Sequence, residues 1–127
     1  MTDKELLAFA EKMQRKAYAP YSDFPVGAAL LCEDGTVFTG CNVENAAFGA
    51  CICAEQTAIV KAVSEGHRNF RKIAIAANSE DYCLPCGICR QIMSEFAPSL
   101  EVICANKKGE HKSYKLNELF ALPFRLN

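Results

Sequence analysis

The sequence has no excess of either charge and no long hydrophobic run. It carries 14 Lys+Arg against 15 Asp+Glu, a formal net charge of −1 and a pI near 6.1. Without a basic excess, the chain has no bulk charge with which to neutralise nucleic-acid phosphates or to bind an anionic membrane. Its longest apolar stretch, residues 24–32, contains Pro25 and Gly27 and is far shorter than the roughly 20 residues of a membrane-spanning helix. These absences disfavour a nucleic-acid-binding protein and a membrane protein.

The chain also lacks repeats, linkers and low-complexity segments. Its first residues, Met-Thr-Asp-Lys-Glu, are polar and acidic, which fits neither a secretory signal nor a transit peptide. The length of 127 residues and the hydrophobic content of 50% are typical of one compact domain. We therefore predict a single domain over residues 1–127.

Eight cysteines stand out in this composition. An even number of cysteines is compatible with a disulfide framework. The absence of a secretory signal, a chain long enough to bury its own core and the apolar surroundings of several cysteines favour reduced thiols instead. We predict a cytoplasmic protein in which five cysteines are packing or exposed thiols rather than metal ligands: Cys32, Cys41, Cys51, Cys83 and Cys104.

Helical and strand patterns alternate along the chain. A capping box at Thr2 and Glu5 predicts a first helix that continues towards Pro20. Two further helices are predicted over 54–64 and 86–96, and Asn117 is expected to cap a last helical turn at 118–120. Strands are predicted over 26–32, 37–43, 72–77, 101–105 and 112–115. This alternation predicts a sheet of about five strands with helices on both faces.

Two cysteine motifs begin consecutive predicted helices. Cys-Ala-Glu occupies 53–55, and Pro-Cys-Gly-Ile-Cys occupies 85–89. A Cys-x-x-Cys pair at a helix start presents two thiols where free backbone amides favour the thiolate form. With Cys53 the pair supplies three sulfur ligands and leaves one tetrahedral position open, as in catalytic zinc sites. The alternatives are buried structural cysteines and a redox dithiol in which Cys86 and Cys89 oxidise reversibly without a metal.

Glu55, two residues after Cys53, is the candidate proton shuttle. Water in the open position of such a zinc site has its pKa lowered to roughly 7. A carboxyl beside it can accept a proton and pass it to a substrate nitrogen, so that one group acts as general base and general acid. The alternative for Glu55 is a solvated first-turn residue that the helix dipole favours.

Four stretches of the sequence resemble the small homotetrameric cytidine deaminases, and the resemblance extends over nearly the whole chain. They are Phe-Pro-Val-Gly-Ala-Ala-Leu at 24–30, Gly-Cys-Asn-Val-Glu-Asn-Ala-Ala at 40–47, Cys-Ala-Glu at 53–55 and Pro-Cys-Gly-Ile-Cys-Arg-Gln at 85–91. The resemblance implies a three-layer α/β/α sandwich with a mixed five-stranded sheet. It also implies one zinc ion per subunit, with Glu55 as the proton shuttle and three ligands, as in other zinc deaminases: Cys53, Cys86 and Cys89.

The same resemblance implies a reaction and its substrate contacts. The expected reaction is hydrolytic deamination of cytidine, and of deoxycytidine, to uridine or deoxyuridine and ammonia in pyrimidine salvage. Asn42 and Glu44 match the pair that holds the ribose hydroxyls, and Phe24 matches the aromatic that packs against the pyrimidine. Phe124 matches a C-terminal aromatic that enters a neighbouring subunit's site, which implies a homotetramer with shared active sites.

The sequence departs from the family at Gln56, where most small tetrameric members have Arg, and at Phe48, where they have Tyr. A guanidinium would offset the negative charge of zinc with three thiolates, whereas Gln56 brings hydrogen bonds without charge. We therefore expect reduced rather than abolished activity, unless a second neighbour of the metal site, Arg90, compensates. Two alternatives stay open: a deaminase of another aminopyrimidine, and a zinc-stabilised relative with weak or lost activity.

Overall fold

A mixed five-stranded sheet is the centre of the fold in the computed structural model, which describes residues 1–126. Its strands are β1 Val26–Cys32, β2 Val37–Cys41, β3 Phe70–Ala77, β4 Glu101–Ala105 and β5 His111–Lys115. They lie in the order β2-β1-β3-β4-β5, with β3 and β4 parallel and the other neighbours antiparallel. Asn127, the last residue of the predicted domain, lies outside the described residues.

Helices cover both faces of this sheet. They are α1 Asp3–Gln14, α2 Ala54–Ser64, α3 Gly87–Phe96 and the short α4 Leu116–Leu119. The buried face of α1 packs with one face of the sheet, and α2, α3 and α4 contribute to a larger cluster on the other face. Because both faces are covered, every residue of β1 is buried. The three-layer α/β/α architecture expected from the sequence is confirmed. None of the described helices is long and apolar enough to cross a membrane.

Two glycines let helices lie directly against the sheet. A Cβ at Gly40 of β2 would lie 2.6 Å from Ala58 N and 2.9 Å from Thr57 Cβ, both in α2. On the opposite face, a Cβ at Gly27 of β1 would collide with the Ala10 carbonyl of α1. The Thr57 hydroxyl also donates to the carbonyl of Cys41, at 3.1 Å. These contacts fix the first turns of α2 against β2.

The predicted elements differ from the observed ones mainly at their ends. The first helix ends at Gln14 because the chain beyond it pairs with another segment: Tyr18 N donates to Asn42 O, and Glu44 N donates to Tyr18 O. For the same reason β2 ends at Cys41, and residue 43 forms only isolated bridges.

The prediction that Asn117 caps the last helical turn is wrong. The α4 helix begins at Leu116, and Lys115 is its N-cap residue. Asn117 lies inside the helix, and its side-chain amide donates to Ser99 Oγ at 3.4 Å. Directly after β5, the backbone N–H of Leu116 donates to the carbonyl of Leu100, the residue before β4, so the helix begins before Asn117 is reached.

Candidate metal centre

Three cysteine sulfurs meet where α2 and α3 begin. Cys53 is the N-cap residue of α2, Cys86 is the N-cap residue of α3, and Cys89 lies in the first turn of α3. The Cys53 and Cys86 sulfurs are 3.8 Å apart, the Cys86 and Cys89 sulfurs are 3.5 Å apart, and all three lie within 4.8 Å of one another. Sulfurs bound tetrahedrally at the usual Zn–S distance are about 3.8 Å apart. The spacing therefore fits one zinc ion.

The donor set leaves a coordination position for a non-protein ligand. Within residues 1–126, no fourth His, Cys, Asp or Glu joins the group of three cysteines. A structural zinc site normally closes its shell with four protein ligands, whereas a catalytic site keeps one position open. The arrangement fits the catalytic type.

The cluster stabilises a thiolate. Hydrogen bonds from Cys89, the stronger influence, and from Cys86 lower the pKa of the Cys53 thiol to about 6, although burial acts in the opposite direction. The bond to Cys53 correspondingly raises the pKa of Cys89. The N-terminal ends of two helices add partial positive charge at the sulfurs. Because thiols bind metal as thiolates, the electrostatics also fit a divalent cation with an affinity for sulfur.

Glu55 is a buried carboxyl in the first turn of α2, only 5% exposed. Its burial raises the pKa to about 7, and the charge of Cys53 acts in the same direction. Hydrogen bonds from the Glu55 backbone N–H and from the Cys89 thiol lower this pKa, but they do not outweigh the burial. This burial excludes the alternative of a solvated first-turn residue. A carboxyl with a pKa close to neutrality is suited to accept and to return a proton.

Gln56 and Arg90 support the backbone around the cysteines. The Gln56 side-chain oxygen accepts a hydrogen bond from the Cys53 backbone N–H at 2.7 Å. Arg90 donates from Nε to the Pro85 carbonyl at 2.8 Å and from Nη1 to the Leu119 carbonyl at 2.7 Å. The described hydrogen bonds of Arg90 therefore end on carbonyl groups, and none of them reaches a cysteine sulfur.

Asn42 and Glu44 lie on a segment that pairs with the residue before Cys53. Val43 exchanges two backbone hydrogen bonds with Ile52, each of 2.9 Å. The Asn42 side chain accepts from Val26 N at 2.8 Å and donates to Phe24 O at 2.9 Å. The Glu44 carboxylate accepts hydrogen bonds from the backbone of the loop before β1. Both side chains thus have internal partners that local sequence patterns did not indicate.

Phe24 and Phe124 are both exposed aromatics, but they lie on different segments. Only Pro25 lies between Phe24 and the start of β1, and Phe24 is 37% exposed. Phe124 is 68% exposed, and its backbone N–H and carbonyl both bond to the Gln91 side chain, at 3.1 and 3.0 Å. Gln91 had no assigned role in the sequence, although its position directly after the Cys-x-x-Cys-Arg motif could have suggested one.

Gln56→Ala is expected to weaken zinc binding by about ten- to hundredfold. The substitution removes the acceptor that fixes the Cys53 backbone, so the sulfur at the start of α2 loses its orientation. Competition with a chelator of known affinity measures the effect. The control is Gln14→Ala, which removes a side-chain hydrogen bond to Asn78 instead. Equal zinc affinity in the two variants would contradict a supporting role for Gln56.

Comparisons with known proteins agree on one family. The family described as "Cytidine and deoxycytidylate deaminase zinc-binding region" matches residues 1–105. A cytidine deaminase of Sporosarcina psychrophila is 50% identical over 111 residues, which are 87% of this chain and 82% of that protein. A cytidine deaminase of Halalkalibacterium halodurans is 43% identical over 120 residues, 94% of this chain and 91% of that protein.

The fold agrees with that of a solved relative. The crystal structure of a cytidine deaminase from Burkholderia pseudomallei superposes with a TM-score of 0.95 at 45% sequence identity. The superposition covers 98% of this chain and 100% of the other.

Proposed function

The chain belongs to the cytidine and deoxycytidylate deaminases, and we propose that it hydrolyses cytidine to uridine and ammonia through the three-cysteine centre and Glu55. The observation that carries this proposal is the meeting of three sulfurs, at zinc-ligand spacing, beside a buried carboxyl. In this proposal Cys53, Cys86 and Cys89 hold the zinc ion, which the family description names.

Each group of the site then has a defined task. Zinc, when bound, supplies Lewis acidity that makes a water molecule a nucleophile at neutral pH. Glu55 accepts a proton from that water and delivers it to N3 of the pyrimidine. It then accepts the proton of the hydroxyl group added at C4 and delivers it to the amine that leaves C4. The Gln56 and Arg90 side chains hold the backbone of the two ligand segments in place. The overall balance is cytidine plus water to uridine plus ammonia.

A nucleoside, rather than a free base, fits the segment beside the centre. Glu44 already accepts three hydrogen bonds but has further lone pairs on its carboxylate, which is an acceptor for ribose hydroxyls. The amide of Asn42 has a second N–H besides the one given to Phe24. The exposed ring of Phe24 is the surface on which the pyrimidine packs. Deoxycytidine, which keeps the 3′-hydroxyl, is the second substrate that we propose.

The test of the function is turnover of cytidine by the purified chain, followed by ultraviolet absorbance and by ammonia release, with zinc content measured on the same sample. Uridine and ammonia in equal amounts, with one zinc per chain, are expected. Bound zinc without turnover, even at raised pH, would instead identify a zinc-stabilised scaffold. Turnover of another aminopyrimidine with no cytidine activity would move the assignment to that substrate.

We further propose a homotetramer whose active sites are shared between subunits. Phe124 is well exposed in the single chain, and so are other large apolar side chains of the described residues: Phe48, Ile52, Ile88 and Leu122. Apolar surface of this kind marks contact sites for other chains. Mass measurement by light scattering tests the subunit number.

A mixing experiment tests the sharing of sites. Phe124→Ala alone is expected to lower kcat/KM about tenfold, since stacking of a base on an aromatic ring contributes about 1–3 kcal/mol. Glu55→Gln chains lack the proton shuttle but keep Phe124. If Phe124 acts in a neighbouring site, co-assembled oligomers of the two variants contain complete sites. Their activity should then exceed that of the two separate variants combined, and simple additivity would contradict shared sites.

We also propose a cytoplasmic location. All eight cysteines are free thiols in the structure. A centre built from three thiols needs a compartment that keeps them reduced, and the cytoplasm does so.

A further inference from the structure

The loop between α1 and β1 has a constrained conformation that a carboxylate maintains. Asp23 has a φ of 54°, in the left-handed region that few residues other than glycine adopt. The Asp23 N–H donates to the Ala19 carbonyl at 3.0 Å, which closes the loop on itself. Glu44 Oε1 accepts from the backbone N–H groups of Tyr21 and Ser22, at 2.9 and 3.1 Å. The loop is therefore built around the Glu44 side chain, which comes from the segment after β2.

The hydroxyl of Ser22 connects this carboxylate to Phe24. Ser22 Oγ donates to Glu44 Oε2 and accepts a hydrogen bond from the Phe24 backbone N–H at 3.1 Å. The Phe24 carbonyl is in turn held by the side-chain amide of Asn42 at 2.9 Å. Both backbone polar groups of Phe24 thus bond to side chains from its own loop or from the segment after β2.

We propose that Ser22 is a positioning residue that couples recognition of the sugar to recognition of the base. This inference rests on the proposed function, in which Glu44 faces the ribose hydroxyls and Phe24 covers the pyrimidine. One hydroxyl fixes both groups, so the distance between the carboxylate and the ring is set before the substrate binds. Such preorganisation strengthens binding because less freedom is lost on association.

The consequences of removing the hydroxyl are specific. Glu44 keeps its two backbone donors, so the loop retains its main anchor. The Phe24 N–H loses its acceptor, and Glu44 Oε2 loses its donor. The Ser22 hydroxyl is also the main cause of the lowered pKa of Glu44, with the Ser22 and Tyr21 backbone donors contributing less. The change therefore acts on the two substrate contacts rather than on the metal centre.

The kinetic test compares Ser22→Ala with Ser22→Thr, which keeps a hydroxyl. Ser22→Ala should raise KM for cytidine about tenfold, the effect of losing one hydrogen bond to a charged group, with little change in kcat. Ser22→Thr should restore KM. Ser113→Ala, an exposed serine on β5, is the matched control and should leave both constants unchanged. An unchanged KM in Ser22→Ala would overturn the proposal. A variant in which kcat and thermal stability fall, but KM does not rise, would overturn it as well.

A double-mutant cycle tests the coupling itself. If the hydroxyl acts through Glu44, Ser22→Ala should have a much smaller effect on KM in a Glu44→Gln background than in the natural chain. Independent, additive effects would overturn the coupling.

A measurement on the free protein separates this proposal from the proposed function. NMR titration of the Glu44 carboxyl should show a higher pKa in Ser22→Ala than in the natural chain, with Ser22→Thr close to the natural value. An unchanged pKa would overturn the connection between the two side chains, whatever the activity. A chain that does not turn over cytidine, but in which this pKa rises, would retain the Ser22–Glu44 connection and refute the deaminase assignment alone.

Discussion

Glu55→Gln should lower kcat for cytidine by about 10²- to 10⁴-fold, the usual contribution of a general acid–base group. The amide has nearly the volume of the carboxyl, so the buried first turn of α2 keeps its packing. It has no proton to exchange at neutral pH, so neither N3 nor the leaving amine receives one. Steady-state kinetics and zinc analysis on the same preparation measure the effect, and zinc content should remain at one per chain.

The control for this variant is Glu65→Gln, at the exposed C-terminal end of the same helix. The substitution makes the same carboxyl-to-amide change at a position for which no role is proposed, so activity should be unaffected. Glu55→Gln should also fold at least as stably as the natural chain, because a buried carboxyl is costly to ionise. Activity within a few-fold of the natural chain in Glu55→Gln would contradict the proposed proton shuttle.

Cys89→Ala is expected to abolish stoichiometric zinc binding and to lower activity by more than about 10³-fold, since a catalytic metal contributes several kcal/mol to the transition state. Metal binding is also linked to folding, because the unfolded chain has no preformed site. The natural chain should therefore lose thermal stability when a strong chelator is added, whereas Cys89→Ala should already melt lower and respond little to the chelator.

Cys104→Ala is the matched control for this substitution. Cys104 is a cysteine of β4 that is as fully buried as Cys89, so both variants leave a similar cavity in the core. Only Cys89 lies in the three-sulfur group. Cys104→Ala should therefore lose some stability but keep its zinc and its response to the chelator. Equal zinc content in both variants would exclude Cys89 as a ligand.

Local signals predicted the elements that carry the centre. The bounds of α2 follow from the motif at its start and from Gly66 just beyond its end, and the observed helix has those bounds. The two cysteine motifs each mark a helix start, and the parallel pairing of β3 with β4 and the packing of both helices on one face bring those starts together. Periodicity and capping therefore predicted the helices and strands, whereas the meeting of the sulfurs was predicted from the two cysteine motifs and the resemblance to the family.

Long-range hydrogen bonds were beyond such signals. Ser22 bonds to a residue 22 positions away, and Gln91 bonds to one 33 positions away. No periodicity or local motif encodes partners at these separations, because only the tertiary fold brings them together. The first-turn position of Glu55 was apparent in the sequence, but its burial depends on the neighbouring layers of the folded chain. The internal partners of Asn42 escaped prediction for the same reason.

The contact at Gly40 restricts movement of the first turns of α2, whereas the loop before β1 is less tightly held. The turn that bears Glu55 rests on strand backbone with no side chain between them, so it cannot tilt without displacing β2. The loop at 19–24 is exposed over most of its length. It is held by hydrogen bonds to the Glu44 side chain and by a single backbone bond within the loop, from Asp23 to Ala19. Substitutions that admit bulkier nucleosides should therefore accumulate in that loop, whereas the turn of α2 that bears Glu55 should tolerate almost none.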